Sequence, residues 1–420
     1  MRQLLIVFLL VMTGSMALAE DNRIDHRLPD APELAQPGPH AIGVRTLDLL
    51  YTDRPDVLTG PDSRYDRPLK VEVWYPAALG DTAPGGTYPD VQLANSTATV
   101  TLRGQAVRNA APDPAGGPYP LVIISHGYPG NRYLLSPFGE HLASHGYVVA
   151  SIDHFESTYE NKLGFASTLA NRSPDQLFVL DQMAALSEAD DGFLAGLVDA
   201  EHSAIIGYSM GGYGAVISAG AGLSDAALTS GMAPAGALDA LAAGSEAYQA
   251  AGDPRLTAAV AIAPWGAQLG MWDEAGLAGI EAPLLVIGGT QDEISDYANG
   301  IRRIFEGAIN ADRYMLSFQG AGHNAAAPMP PPTEALEQGG PGSPYEHYAD
   351  FVWSNVRMNN VTQHVLTAFF GLTLKGDEGM ARYLDLASGP WTEPAGDRDW
   401  PGFGPRTTRG LVVEHLPASR

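Results

Sequence analysis

The segment Ser203-Ala204-Ile205-Ile206-Gly207-Tyr208-Ser209-Met210-Gly211-Gly212 carries two readings at once. Residues 203–208 are short and mostly apolar, as a strand buried on both faces must be. The continuation matches G-x-S-x-G and runs into a helix-like pattern over 210–221. A serine can be presented on a tight strand-to-helix reversal only if its neighbours lack side chains. The helix that follows brings its N-terminal amides to where negative charge would develop. The spacing predicts a nucleophilic serine at 209, with the Met210 amide beside it.

Similar apolar runs recur on both sides of this segment. Those at 121–125, 147–152, 258–263, 284–289 and 314–318 read as buried strands, and 44–50 and 69–75 alternate like half-exposed antiparallel ones. Helical stretches at 133–145, 173–186 and 295–310 lie between them. This alternation predicts an α/β fold, a mostly parallel eight-stranded sheet with helices on both faces, and the G-x-S-x-G turn between strand and helix is the one an α/β-hydrolase fold uses. Three segments exceed a minimal plan, at about 80–117 (with an extra hairpin within 95–107), 224–253 and 325–344. They are expected as inserted loops over the active edge, in a domain spanning 41–375. Residues 20–40 read as a loose lead-in, and 376–420 as an extension packed on the domain with a possible strand at 410–415.

A serine hydroxyl needs a base, and the base an acid to hold it. In this fold the chain order is serine, carboxylate, histidine. Asp292 follows the strand at 284–289, and His323 follows the next strand, so both fall at the carboxyl edge where sites of open α/β folds gather. Glu293 and Asp296 are rivals for the carboxylate, and helix capping is the alternative task for Asp292. A second oxyanion donor should come from the loop after Ser125-His126-Gly127, and Tyr128 is the natural one, its ring also available to the acyl group. His126 reads as a residue that shapes this turn. The pair His141 and His145, beside Glu140, has one-turn spacing but no third metal ligand. No metal and no cofactor is expected.

The chain has 420 residues with 24 Lys plus Arg against 48 Asp plus Glu, a formal charge of −24. That surplus argues against nucleic acid as a partner and against an anionic membrane surface. Cysteine is absent, which excludes disulfides, thiolate nucleophiles and zinc–thiolate sites. Arg2, the apolar run 4–12 and Ala17-Leu18-Ala19 read as an export signal at 1–19, too short in its apolar part to span a bilayer. The expectation is a soluble periplasmic or extracellular monomer without a stable membrane anchor.

Ser125-His126-Gly127-Tyr128, Asn131-Arg132, Leu142-Ala143-Ser144-His145-Gly146-Tyr147 and Gly207-Tyr208-Ser209-Met210-Gly211-Gly212 resemble secreted α/β-hydrolases of the dienelactone hydrolase-like and cutinase-like group. That group includes bacterial polyester hydrolases and platelet-activating factor acetylhydrolase-like esterases. Ala263-Pro264-Trp265, Gln291-Asp292-Glu293-Ile294 and Gly322-His323 extend the resemblance to about 121–324, and Val71-Glu72-Val73-Trp74-Tyr75-Pro76 resembles the acetylhydrolase branch. Dienelactone hydrolases proper use a Cys nucleophile, where this chain has Ser209. The resemblance implies an exported serine ester hydrolase acting on a small-molecule or polymeric ester. It implies a triad of Ser209, Asp292 and His323, an oxyanion pair of Tyr128 and Met210, and a cleft lined by Trp265. The non-enzymatic alternative is an acidic exported binding protein on the same fold.

Overall fold

The computed structural model describes residues 22–60, 62–250 and 252–419. The export signal expected at 1–19 lies outside the described residues. Strands β1 (Ile42–Pro55) and β2 (Arg64–Ala78) form an antiparallel pair, and β3 (Gly86–Gln92) with β4 (Thr99–Gly104) make a separate hairpin. After the short β5 (Val107–Arg108) and β6 (Ala111–Pro112) come β7 (Tyr119–Ser125), β8 (Val148–Asp153), β9 (Val198–Tyr208), β10 (Leu256–Ile262), β11 (Leu284–Gly289), β12 (Arg313–Phe318) and β13 (Leu411–Leu416). The main sheet runs β13-β12-β11-β10-β9-β7-β8-β2-β1-β5, with β6 beside β2. Its centre, β8-β7-β9-β10-β11-β12, is parallel throughout.

The eight strands expected are all present, but the count of eight needs correction: the sheet holds eleven among the described residues. The additions are antiparallel β13 outside β12 and the two-residue β5 and β6, too short for any apolar pattern to reveal. The extra hairpin is also misplaced in the sequence reading. It pairs residues 86–92 with 99–104, and its turn occupies the start of the expected span.

Helices α1 (Ser136–Ser144), α2 (Phe165–Glu188) and α3 (Met210–Ser218) connect the parallel strands. Strand β7 divides its side chains between two cores: Leu121 and Ile123 meet Val179 and Met183 of α2, whereas Val122 and Ile124 join the cluster containing Phe138 and Phe369. That alternation is the period-two geometry of a strand covered on both faces. Shorter helices follow: α4 (Asp225–Leu228), α5 (Glu246–Ala250), α6 (Glu274–Leu277), α7 (Arg302–Gly307), α8 (Thr333–Leu336) and α9 (Pro344–Tyr348). The long α10 (Asn355–Thr373) lies on the Phe369 side.

Residues 22–40 are tied down rather than loose: Leu28 N donates to Asn360 Oδ1 at 3.0 Å and Leu34 N to His364 Nδ1 at 3.1 Å. The insertion 224–253 leaves the C-terminal end of α3 and returns to the start of β10, so both its ends attach away from the active edge. The segment 325–353 lies at that edge, where Met329 N donates to Leu134 O and Asn324 Nδ2 to Ala349 O.

Candidate active site

Ser209 sits between β9 and α3 with φ 54° and ψ −112°, a backbone state that costs about 1–3 kcal/mol and persists only when its surroundings enforce it. Its amide donates to Ile262 O at 2.9 Å, and its carbonyl accepts from Tyr213 N at 2.9 Å and Trp265 N at 3.2 Å. The flanking glycines are needed sterically. A Cβ on Gly207 would lie 2.1 Å from Gly211 O, and one on Gly211 would lie 2.0 Å from Ser125 O.

Three distant segments converge here. Ser209 Oγ lies 3.0 Å from His323 Nε2, and His323 Nδ1 lies 2.9 and 3.1 Å from the two Asp292 oxygens. Asp292 stands on the turn after β11 and is fixed by Ile294 N and Ser295 N, which donate to Oδ1 at 2.9 and 2.7 Å. The rivals are placed otherwise. Glu293 is exposed, and Asp296 caps the π-helical turn Tyr297–Ile301 by accepting from Ala298 N and Asn299 N. His323 is steadied from both sides, since Asp350 accepts from Gly322 N at 2.7 Å and Tyr208 Oη donates to Asn324 Oδ1 at 2.9 Å. A hydroxyl so placed can pass its proton to the imidazole while the buried carboxylate keeps the other ring nitrogen protonated.

Gly127 packs on the serine, for a Cβ there would lie 3.3 Å from Ser209 Cβ, and this brings the Tyr128 segment alongside. Met210 is the first residue of α3, so its amide has no acceptor within the helix. The Tyr128 ring meets Phe165 edge-on at 5.5 Å, and Phe165 meets Trp265 at 5.2 Å, giving a half-buried aromatic wall. Phe165 has no signal in the sequence: the helix was expected to begin at 173, and it begins at 165. On another side Tyr159 Oη and His347 Nε2 are 2.7 Å apart. His347 is held at about 4 by burial and by the nearby His323.

The His141 and His145 pair is not a metal site. His141 Nε2 lies 2.8 Å from Thr367 Oγ1, and His145 Nε2 lies 2.9 Å from Gln36 O. Glu140 is buried and accepts from Gln105 N, Ala106 N and the Tyr88 hydroxyl. Burial raises its carboxyl above the usual range against those donors. No group of three His, Cys, Asp or Glu suited to a metal occurs among the described residues.

A parallel sheet with antiparallel β1 and β2 at one edge, and a strained serine between its central strand and the next helix, defines the α/β-hydrolase fold. The family model of PET hydrolase-like proteins matches residues 104–237, taking in Tyr128 and Ser209 but stopping short of Asp292 and His323. Platelet-activating factor acetylhydrolase of Cavia porcellus is 28% identical over 145 residues, 32% of this chain and 33% of that protein. The Bos taurus protein of that name is 42% identical over 62 residues, 14% of each chain. The chain thus matches about a third or less of the length of these relatives. A ferulic acid esterase from Streptomyces cinnamoneus shares the fold with TM-score 0.57 and 22% identity, over 82% of this chain and 94% of that one.

Proposed function

We propose that this protein is an exported serine carboxylic ester hydrolase working through an acyl-enzyme, on esters of short to medium acyl chains. The observation that carries the proposal is the 3.0 Å approach of Ser209 Oγ to His323 Nε2 with Asp292 behind the ring. The resemblance to esterases supports the same reading. His323 takes the Ser209 proton as Oγ attacks the ester carbonyl, and the oxyanion accepts hydrogen bonds from the Met210 and Tyr128 amides. The tetrahedral adduct then expels the alcohol, which leaves with the proton from His323. Water, deprotonated by the same imidazole, attacks the acyl-serine, and collapse returns the proton to Oγ. No step calls for a metal or cofactor. The pattern read as an export signal at 1–19 is the ground for proposing export, and we infer that the mature chain works as a monomer.

Ser209→Ala should lower kcat for p-nitrophenyl acetate by about 10⁶ with the fold intact. A fluorophosphonate probe should label the wild type at Ser209. Turnover retained by the alanine variant would overturn the assignment, and a wild type that is never labelled would favour a binding protein. Esters graded by acyl length would then place the preference.

A second reading, a hydrolase of polyester or lipid esters, is favoured by apolar side chains exposed next to site residues. Leu163 (72% exposed) precedes Phe165, Leu269 (53%) follows Trp265, Ile294 (51%) follows Asp292, and Phe351 (74%) follows Asp350. Apolar side chains exposed so close in sequence to the site suit an extended apolar substrate surface. Faster turnover of amorphous polyester film or short-chain phospholipid than of soluble esters would favour this reading over the first.

A further inference from the structure

Beneath the Gly127–Tyr128 loop lies a second serine–histidine–aspartate array. Ser125 Oγ, at the end of β7, lies 2.8 Å from His154 Nε2, and His154 Nδ1 lies 2.9 Å from Asp175 Oδ2. Asp175 also accepts from Arg67 Nε at 2.8 Å and Nη2 at 2.9 Å. Ser125 and Asp175 are 0% exposed and His154 1%, so no substrate reaches this hydroxyl. Burial works to raise the Asp175 carboxyl, but Arg67 and His154 outweigh it and hold it at about 2. Burial and the Arg172 charge hold His154 at about 3. The Asp175 carboxylate therefore accepts a hydrogen bond from Nδ1–H, and neutral His154 accepts one at Nε2 from the Ser125 hydroxyl.

This array abuts the loop expected to supply the second oxyanion donor. The His154 amide donates to His126 Nε2 at 3.2 Å. His126 Nδ1 must then carry the ring proton, and it donates to Gly127 O at 2.7 Å. The His126 carbonyl is held as well, by Arg172 Nη1 at 2.6 Å. In a planar trans peptide the carbonyl and the following N–H point in opposite directions. A Gly127 carbonyl pinned toward the buried histidine turns the Tyr128 N–H away from it, on the loop that packs against Ser209.

We propose that His154, locked by Ser125 and Asp175, is a positioning residue that fixes the Tyr128 amide through His126. This rests on the serine hydrolase reading above. It assigns Ser125 and Asp175 to holding a donor rather than to bond making.

The test compares Ser125→Ala, His154→Asn and their double variant with wild type and Ser209→Ala, using p-nitrophenyl acetate and a boronic acid inhibitor. Near-UV circular dichroism reports on folding. Folded Ser125→Ala should keep KM within about twofold and lose about tenfold or more in kcat, with boronate affinity falling in step. The pH–rate midpoint should stay in place, because His323 and Asp292 are untouched. Residues acting as one unit give a double variant no worse than the worse single. Should Ser125→Ala fail to fold, the same readouts on His154→Asn decide the matter. Wild-type kcat in a folded variant, unchanged boronate affinity or additive losses would each overturn the proposal. If Ser209→Ala is inactive while these variants match wild type, this inference alone falls. If Ser209→Ala stays active, the hydrolase reading falls first.

Discussion

Lowering the pH from 7 to 5.5 should weaken this fold markedly, through histidines buried in the neutral form. Burial holds His154 and His364 at about 3, and burial with the nearby His323 holds His347 at about 4. The cause is visible in each contact. His154 Nε2 is engaged with Ser125, and His364 Nδ1 accepts the Leu34 amide, so neither ring takes a second proton without losing a bond. In the unfolded chain these rings titrate near 6.5. A folded pKa below the unfolded one makes a contribution that is complete above the unfolded value and is lost as pH falls toward the folded value. Between pH 7 and 5.5 each ring should remove about 1.2 kcal/mol, so the three together remove about 4 kcal/mol. His126 and His141 are lowered by burial as well and act in the same direction. Against a typical total of about 5–15 kcal/mol, that is a large share. Protonation also relieves the self-repulsion of a chain of charge −24, which opposes the trend. One substitution separates the two effects. His364 lies between Tyr383 at 5.2 Å and Phe403 at 4.9 Å, so phenylalanine keeps aromatic neighbours and gives up the Leu34 hydrogen bond, a loss common to both pH values. Urea unfolding at fixed ionic strength should show His364→Phe losing about 1.2 kcal/mol less than wild type between the two pH values. Equal losses in both proteins would refute the reasoning.

Asp292→Asn should lower kcat by about 10⁴ with the fold retained, since a carboxamide holds the ring without favouring the needed tautomer; steady-state kinetics on p-nitrophenyl acetate checks it. Glu140→Ala leaves the Gln105 and Ala106 amides and the Tyr88 hydroxyl without their acceptor, and should cost about 3 kcal/mol in urea unfolding. Phe165→Ala removes the ring between Tyr128 and Trp265 and should lower kcat/KM about tenfold for bulky acyl esters, with little change for acetates.

What was legible in the sequence follows the covering of each element. The parallel strands are apolar on both faces because helices lie on both, so 203–208 and 284–289 announce themselves. Gly207 and Gly211 are legible because backbone approaches within about a Cβ radius of them, and no other residue fits. The turns that carry Asp292 and His323 follow from strand order, but only the contacts in three dimensions separate Asp292 from Glu293 and Asp296. Helix α2 is the instructive failure. Its N-terminal half buries Ser167, Thr168, Asn171, Arg172, Ser173, Asp175 and Gln176 beside Leu169, so apolar residues hardly mark its inward face. The helix also runs through Pro174, a residue type better suited to a first turn. The polar residues find partners only in three dimensions: Arg172 in the His126 carbonyl, Asp175 in Arg67 and His154. Phe165 and Asp175 therefore stayed hidden for the same reason, and the short turn that carries His347 has no pattern to read.

The two serine–histidine–aspartate arrays show why residue types and hydrogen-bond lengths alone do not define a reactive site. Their contacts are nearly equal, 3.0 against 2.8 Å at the hydroxyl and 2.9 against 2.9 Å at the carboxylate. Backbone setting separates them. Ser125 ends an extended strand with its hydroxyl in the core, whereas Ser209 has a positive φ at a helix N-terminus, next to an amide with no acceptor within the helix. Access differs too: the His323 side chain is 13% exposed and that of His154 is 1%. A buried imidazole can hold a neighbouring loop, but a proton it accepted would be stranded beside Arg172. The partly open imidazole can exchange its proton with an alcohol or a water in every turnover. The strain at Ser209 thus has a chemical counterpart that Ser125 lacks, and strain at the motif, more than the triad pattern, distinguishes the residue that would react.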